Sequence, residues 1–109
     1  MAKIGEIILI PFPFADLSNK KVRPAVVIAE TDDKYMDLVV SAISSVVPSK
    51  ISSREILLKP DRTNNLRADS VIKVDRIVTL KRENKIADLG KLSAEQLAIF
   101  KSIFAKIIE

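Results

Sequence analysis

Short apolar runs separated by polar connections fill most of the chain. Their β-branched and other large apolar side chains favour strands over helices. The runs at residues 24–29 and 38–43 are apolar at nearly every position, so both faces of these strands should be covered, as in a small closed barrel or a sheet buried under a helix or a partner. The four clearest strands are predicted at residues 3–12, 24–29, 38–43 and 55–58.

Two more apolar runs follow at residues 70–74 and 76–80. They are too close together for a helix between them, so Asp75 is expected to mark a bend or a bulge in one continuous strand. Six short runs at this spacing favour a barrel or a sandwich. We therefore predict a mainly β domain of about six strands, either a small barrel or a sandwich.

The first strand should end or bend at Pro11 and Pro13, because proline cannot donate to a strand ladder. Residues 15–22 then form a polar loop, and the exit of this loop is basic through Lys20, Lys21 and Arg23.

The last segment has a different pattern, that of an amphipathic helix. Ser93 suits an N-cap, Gln96 completes a capping box, and Leu92 and Leu97 occupy the positions of a hydrophobic staple. Lys101 and Lys106 should face away from the core. The expected apolar face consists of Leu97, Phe100, Ile103, Phe104, Ile107 and Ile108.

Length and composition limit the class of protein. A chain of 109 residues, 48% hydrophobic and 29% charged, suits one domain over residues 1–109. No apolar run approaches the roughly 18 residues of a membrane span, so we expect a cytoplasmic protein with no membrane partner. Cysteine and histidine are both absent. We therefore expect no metal and no cofactor, and any chemistry must use the remaining polar side chains.

Three segments carry side chains that could act on an anionic substrate, which the net charge of +4 also suits. Arg23 lies where the basic loop enters a strand and could bind a phosphate, although its type and position alone favour an ordinary solvated loop end. Ser44 and Ser45 close the third strand and could donate to a phosphate oxygen, or form a simple turn. Lys73 and Asp75 would share one face of an extended strand, where the alternative is a surface ion pair.

Taken together, these segments resemble the PemK/MazF family of toxins. The resemblance rests on the order and spacing of residues 5–18, with the Pro11-Phe12-Pro13-Phe14 segment, and of residues 21–28, with Arg23-Pro24. Residues 38–45 and 69–79 resemble the later strands of the family, and the C-terminal helix lies where the family has one. The resemblance therefore covers essentially the whole chain.

The resemblance implies an SH3-like barrel that forms a homodimer, cleaves single-stranded messenger RNA as an endoribonuclease, and is silenced by an antitoxin with an acidic segment. It places Arg23 and Ser44 at the cleaved phosphate, with Ser45 as the alternative if the register differs by one residue. Asp75 is our candidate for the base. Some relatives carry an Arg-x-Asp pair where this chain has Lys73 and Asp75. The expected RNA-binding residues are Lys20, Lys21, Ser45, Lys73 and Arg76.

Two other functions stay open at this stage. A barrel of the same fold could block a target without cleaving it, or could simply bind RNA. The presence of both Arg23 and a hydroxyl at position 44 favours cleavage over these two functions. An aromatic content of 5% leaves few side chains on which bases could stack, which argues against a dedicated single-strand binder.

Overall fold

The computed structural model describes residues 2–11 and 22–109. Most of the predicted polar loop at residues 15–22, with Pro13, Lys20 and Lys21, lies outside these residues. The strands are β1 (Glu6–Pro11), β2 (Val22–Glu30), β3 (Leu38–Ser44), β4 (Glu55–Leu58), β5 (Ser70–Leu80) and β6 (Ala87–Lys91), with a short 3₁₀ helix (Arg82–Asn84) and one α-helix, α1 (Ala94–Ile107).

The six strands form one antiparallel sheet in the order β4-β5-β3-β2-β1-β6. The sheet curls into a half-barrel, which confirms the predicted mainly β fold with a C-terminal helix. Strands β4 and β6 are its two edges. No helix in the described part of the chain is long and apolar enough to cross a membrane.

Strand β6 was not predicted from the sequence, although the predicted number of strands agrees with the structure. The runs at 70–74 and 76–80 are one strand, β5, and β6 supplies the sixth. Leu89 is the only large apolar side chain in β6, which otherwise reads Ala-Asp-Leu-Gly-Lys. This short edge strand is defined by its pairing with β1 and has no hydrophobic pattern of its own.

Both faces of the central strands are buried, as their continuous apolarity predicted. Successive side chains of a strand point to opposite faces, so Val26 and Val27 enter two different clusters. The first cluster lies under α1 and includes Phe100. The second, on the opposite face, consists of Ile8, Ile10, Ala25, Val27, Leu38 and Val40.

The C-terminal helix begins as predicted. The Ser93 hydroxyl accepts from the Gln96 backbone N–H at 3.1 Å, and the Gln96 side chain accepts from the Ser93 N–H at 2.9 Å, which completes the capping box. Phe100 is fully buried and stacks against Phe104. The assignment of Ile108 to the apolar face was wrong, because the helix ends at Ile107 and Ile108 is 69% exposed.

Strand β5 contains the bulge that was expected at Asp75. Ser41 of β3 pairs with Ile77, while the next residue, Ala42, pairs with Lys73. Three residues of β5, Val74 to Arg76, therefore have no counterpart on β3. The buried Ser41 hydroxyl donates to the Val74 carbonyl at 2.9 Å, which satisfies a polar group that the bulge removes from the ladder.

The connection between β4 and β5, residues 59–69, bridges the two edges of the sheet. Lys91 N–H of β6 donates to the Thr63 carbonyl at 3.0 Å, and the Asn65 side chain donates to the Leu89 carbonyl at 2.7 Å. Asn64 is fully buried, and its side-chain oxygen accepts from two backbone N–H groups of the same connection. A loop thus joins the edges that strand pairing leaves open.

Candidate functional site

Arg23 and Ser44 lie at the same end of neighbouring strands. Ala25 of β2 pairs with Ala42 of β3, and Arg23 and Ser44 are each two residues further in the same direction. A step of two residues keeps a side chain on the same face, and adjacent strands are about 4.8 Å apart. The guanidinium and the hydroxyl therefore project from one end and one face of the sheet, where a single phosphate could contact both.

Pro24 explains why the strands open at this point. It has no N–H to donate, and the paired residues of β2 and β3 begin only at Ala25. On its other side, Arg23 pairs with Ile10 of β1, which is fully buried in the second cluster. Arg23 itself is partly exposed. It thus lies at the rim of an apolar surface, where a charge interacts more strongly with a bound anion than it does in bulk water.

The three serines of β3 and its end have different environments. The Ser44 oxygen accepts from the Val46 backbone N–H at 3.1 Å, which leaves its hydroxyl hydrogen able to donate. Ser45 follows the strand and is exposed. Ser41, in contrast, is buried with its hydroxyl committed to the bulge. Of the three, Ser44 and Ser45 can reach a ligand.

Lys73 lies on the same face as Arg23 and Ser44, one row further along the sheet. It pairs with Ala42 on β3 and with Glu55 on β4, and Ala42 is in turn the partner of Ala25. Lys73 is partly exposed. The predicted cation on β5 is therefore brought beside the Arg23–Ser44 end of the sheet.

Asp75 and Arg76 are exposed residues of the bulge. The Asp75 carboxylate lies 3.7 Å from the guanidinium of Arg54, measured between Oδ2 and Nη1. The sequence suggested Lys73 as its cationic neighbour, whereas in the structure Arg54 takes this position. No motif marks Arg54, because its proximity to Asp75 depends on the register of β4 against β5 and on the bulge.

The opposite end of the β2–β3 hairpin has no part in this site. Residues 31–37 form its turn, where the Asp33 carboxylate accepts from the Thr31 hydroxyl and from the N–H groups of Tyr35 and Met36. The hydrogen bond from Thr31 and those from the two backbone groups hold the pKa of Asp33 below its ordinary value. In the described ranges, no three acidic side chains lie close enough to share a metal ion.

Comparison with known proteins agrees with this architecture. In one solved structure, an endoribonuclease from a mycobacterial species is in complex with its cognate antitoxin; it matches with a TM-score of 0.74 at 11% identity, over 99% of this chain and 95% of the other. The Mycobacterium tuberculosis toxin MazF-mt6 matches with a TM-score of 0.68 at 17% identity, over 94% and 95%. No curated protein matches in sequence.

At these identities the two structures are evidence for the fold alone. The family model described as PemK-like, MazF-like toxin of type II toxin–antitoxin systems matches residues 3–108. This range contains all six strands, α1 and every residue of the candidate site. The chain therefore belongs to the PemK-like, MazF-like toxin family.

Proposed function

We propose that this toxin is a metal-independent endoribonuclease that cleaves single-stranded messenger RNA. The observation that carries the proposal is the position of Arg23 and Ser44 at one end and on one face of adjacent strands, beside Lys73. Membership of the toxin family and the fold shared with a mycobacterial endoribonuclease support it.

The reaction that suits these side chains is transesterification within the RNA. The ribose 2′-OH loses its proton and its oxygen attacks the adjacent phosphorus, while the bond to the 5′-oxygen breaks and that oxygen takes up a proton. The products are a 2′,3′-cyclic phosphate and a 5′-OH. Because the substrate supplies the nucleophile, the protein has only to position groups and stabilise charge. DNA, which lacks the 2′-OH, would not be cleaved.

Each side chain has a proposed role. Arg23 stabilises the charge that develops on the phosphorane, and Ser44 donates to a non-bridging oxygen. Asp75 is the proposed base for the 2′-OH, with Lys73 as a supporting cation. The remaining proposed RNA contacts are Lys20, Lys21, Ser45 and Arg76.

The biological setting follows from the family. We propose a cytoplasmic homodimer that a cognate antitoxin neutralises through an acidic segment. Charge complementarity supports this partner, because the chain carries a net charge of +4 and two of the site residues, Arg23 and Lys73, are cationic.

The decisive test is single-turnover cleavage of a labelled RNA by Arg23→Ala. We expect cleavage to be abolished with little change in the melting temperature, because Arg23 is at a strand end and only partly buried. Arg23→Lys should also fail substantially, because an ammonium cannot form two parallel hydrogen bonds to phosphate oxygens. Arg62→Ala, in the exposed part of the β4–β5 connection, is the matched control.

Ser44→Ala should slow cleavage by roughly ten- to a thousandfold, as expected for one donor to the transition state. Asp75→Asn should change the pH dependence of the rate if Asp75 is the base, and should leave its shape unchanged if the carboxylate has only an electrostatic role. If Arg23→Ala cleaves at the wild-type rate, this site is wrong, and a toxin that blocks its target without cleavage becomes the better explanation.

A further inference from the structure

Arg54 is a cation beside the candidate site, and the proposed reaction does not use it. It precedes β4, and its backbone is held on both sides. Its carbonyl accepts from the Val74 N–H at 3.0 Å, and its own N–H donates to the Ser52 hydroxyl at 3.2 Å. The position of Arg54 is therefore tied directly to the bulge of β5.

The guanidinium of Arg54 has unused hydrogen-bonding capacity. Its distance of 3.7 Å from Asp75 suits an ion pair but is too long for a hydrogen bond. The two side chains are 53% and 45% exposed, so the pair is open to a ligand. A guanidinium has five N–H donors, and its planar fork matches two oxygens of a phosphate. The contact uses only Oδ2 of Asp75, which leaves Oδ1 for another partner.

The location is suitable for RNA. Asp75, the proposed base, follows Lys73 by two residues within the bulge, and the Arg54 guanidinium lies 3.7 Å from its carboxylate, so Arg54 adds a cation next to the proposed base. The 2′-OH that Asp75 would deprotonate adjoins the cleaved phosphate, so a cation beside Asp75 would lie near the neighbouring phosphates of the same RNA strand.

We propose that Arg54 is a further RNA-binding residue of this toxin, which contacts a backbone phosphate next to the cleaved one while Asp75 holds its guanidinium in position. This inference rests on the proposed endoribonuclease function. Lys73 and Arg54 would then contact different phosphates of the RNA. The guanidinium that the Arg-x-Asp pair of some relatives supplies would come, in this chain, from a residue that precedes β4.

The test measures binding without cleavage. The probe is a fluorescent RNA with a 2′-deoxynucleotide at the mapped cleavage position, titrated at several salt concentrations. Arg54→Ala should weaken binding about tenfold and reduce the slope of log K against log salt by about 0.7, as expected for one lost phosphate contact on a single strand. Arg54→Gln keeps a polar side chain but removes the charge and the guanidinium, and it should weaken binding to a similar extent. Arg62→Ala should bind as wild type.

A double variant separates the roles of the two partners. If Asp75 acts on binding through Arg54, then Arg54→Ala combined with Asp75→Asn should bind the probe no more weakly than Arg54→Ala alone. A purely structural role for Arg54 would lower the melting temperature and leave the salt slope unchanged.

The possible failures are distinguishable. Wild-type affinity and salt slope in both Arg54 variants would overturn this inference, and loss of cleavage in Arg23→Ala would still support the proposed function. Failure of the wild-type protein to bind or cleave any RNA would instead overturn the proposed function and this inference with it.

Discussion

Gly90→Ala should be among the most destabilising single-methyl additions to this protein. A Cβ atom at position 90 would lie 2.3 Å from the Thr63 carbonyl oxygen and 2.8 Å from both the carbonyl carbon and the oxygen of Asn64. All three atoms belong to the backbone, so no side-chain rotation can relieve the clash. Strand β6 would have to move away from the β4–β5 connection.

The expected magnitude follows from what this movement breaks. The hydrogen bonds from Lys91 N–H to Thr63 and from the Asn65 side chain to Leu89 join the same two segments. Two such bonds contribute about 0.5–1.5 kcal/mol each, and overpacking adds about 1–3 kcal/mol. We expect a loss of roughly 2–6 kcal/mol from a domain whose total stability is on the order of 5–15 kcal/mol. The melting temperature should fall by about 10–25 °C.

The assay is thermal and urea unfolding followed by circular dichroism. Lys91→Ala, an exposed position in the same strand, is the control and should unfold like wild type. Gly5→Ala gives a second comparison, because Gly5 has φ +92° and the three atoms nearest to its added Cβ all belong to the flexible Leu97 side chain. It should cost about 1–3 kcal/mol through backbone strain. A melting temperature for Gly90→Ala within about 2 °C of wild type would refute the packing argument.

Other measurements test the remaining conclusions. Cleavage should be unimpaired in excess EDTA, because the proposed reaction uses the 2′-OH of the substrate and charged side chains; loss of activity that magnesium restores would contradict this. Light scattering at micromolar concentration should show a homodimer, and a monomer that still cleaves RNA would contradict the dimer. Asp33→Asn should be less stable than wild type at neutral pH, and this difference in the free energy of unfolding should diminish as the pH falls through the lowered pKa of Asp33. A depressed pKa stabilises the fold only while the carboxyl is ionised. Urea unfolding at pH 7 and pH 3 measures the difference. Ser93→Ala should lose about 1 kcal/mol through the missing N-cap, and an unchanged urea midpoint would argue against it.

Local patterns were sufficient to predict most of the fold. The run of residues 55–58 coincides with β4, and the Ser93–Gln96 capping box places the start of α1 at the correct residue. These signals depend on the chemistry of neighbouring residues and need no tertiary information. A bend or bulge at Asp75 was also predicted, because this acidic residue interrupts two apolar runs that are too close together for a helix between them.

What the sequence did not reveal depends on contacts between distant segments. Strand β6 exists because β1 pairs with it, and Arg54 meets Asp75 only once β4 and β5 are in register. Gly90 carries no local turn signal, since its requirement is the close approach of Thr63. The roles of Arg23, Ser44 and Asp75 in cleavage stay predictions, because they depend on how an RNA strand lies across these positions.

The strand order also affects how this protein can fold as it is synthesised. Strand β1 lies between β2 and β6 in the sheet, yet about 80 residues of chain separate it from β6. At a synthesis rate of roughly 5–20 residues per second, one edge of the Ile-rich strand β1 stays unpaired for about 4–16 s until β6 has been synthesised. During this interval the nascent chain exposes an apolar edge that other chains could pair with. Conditions that slow translation of the segment between β1 and β6 should therefore lower the yield of folded toxin.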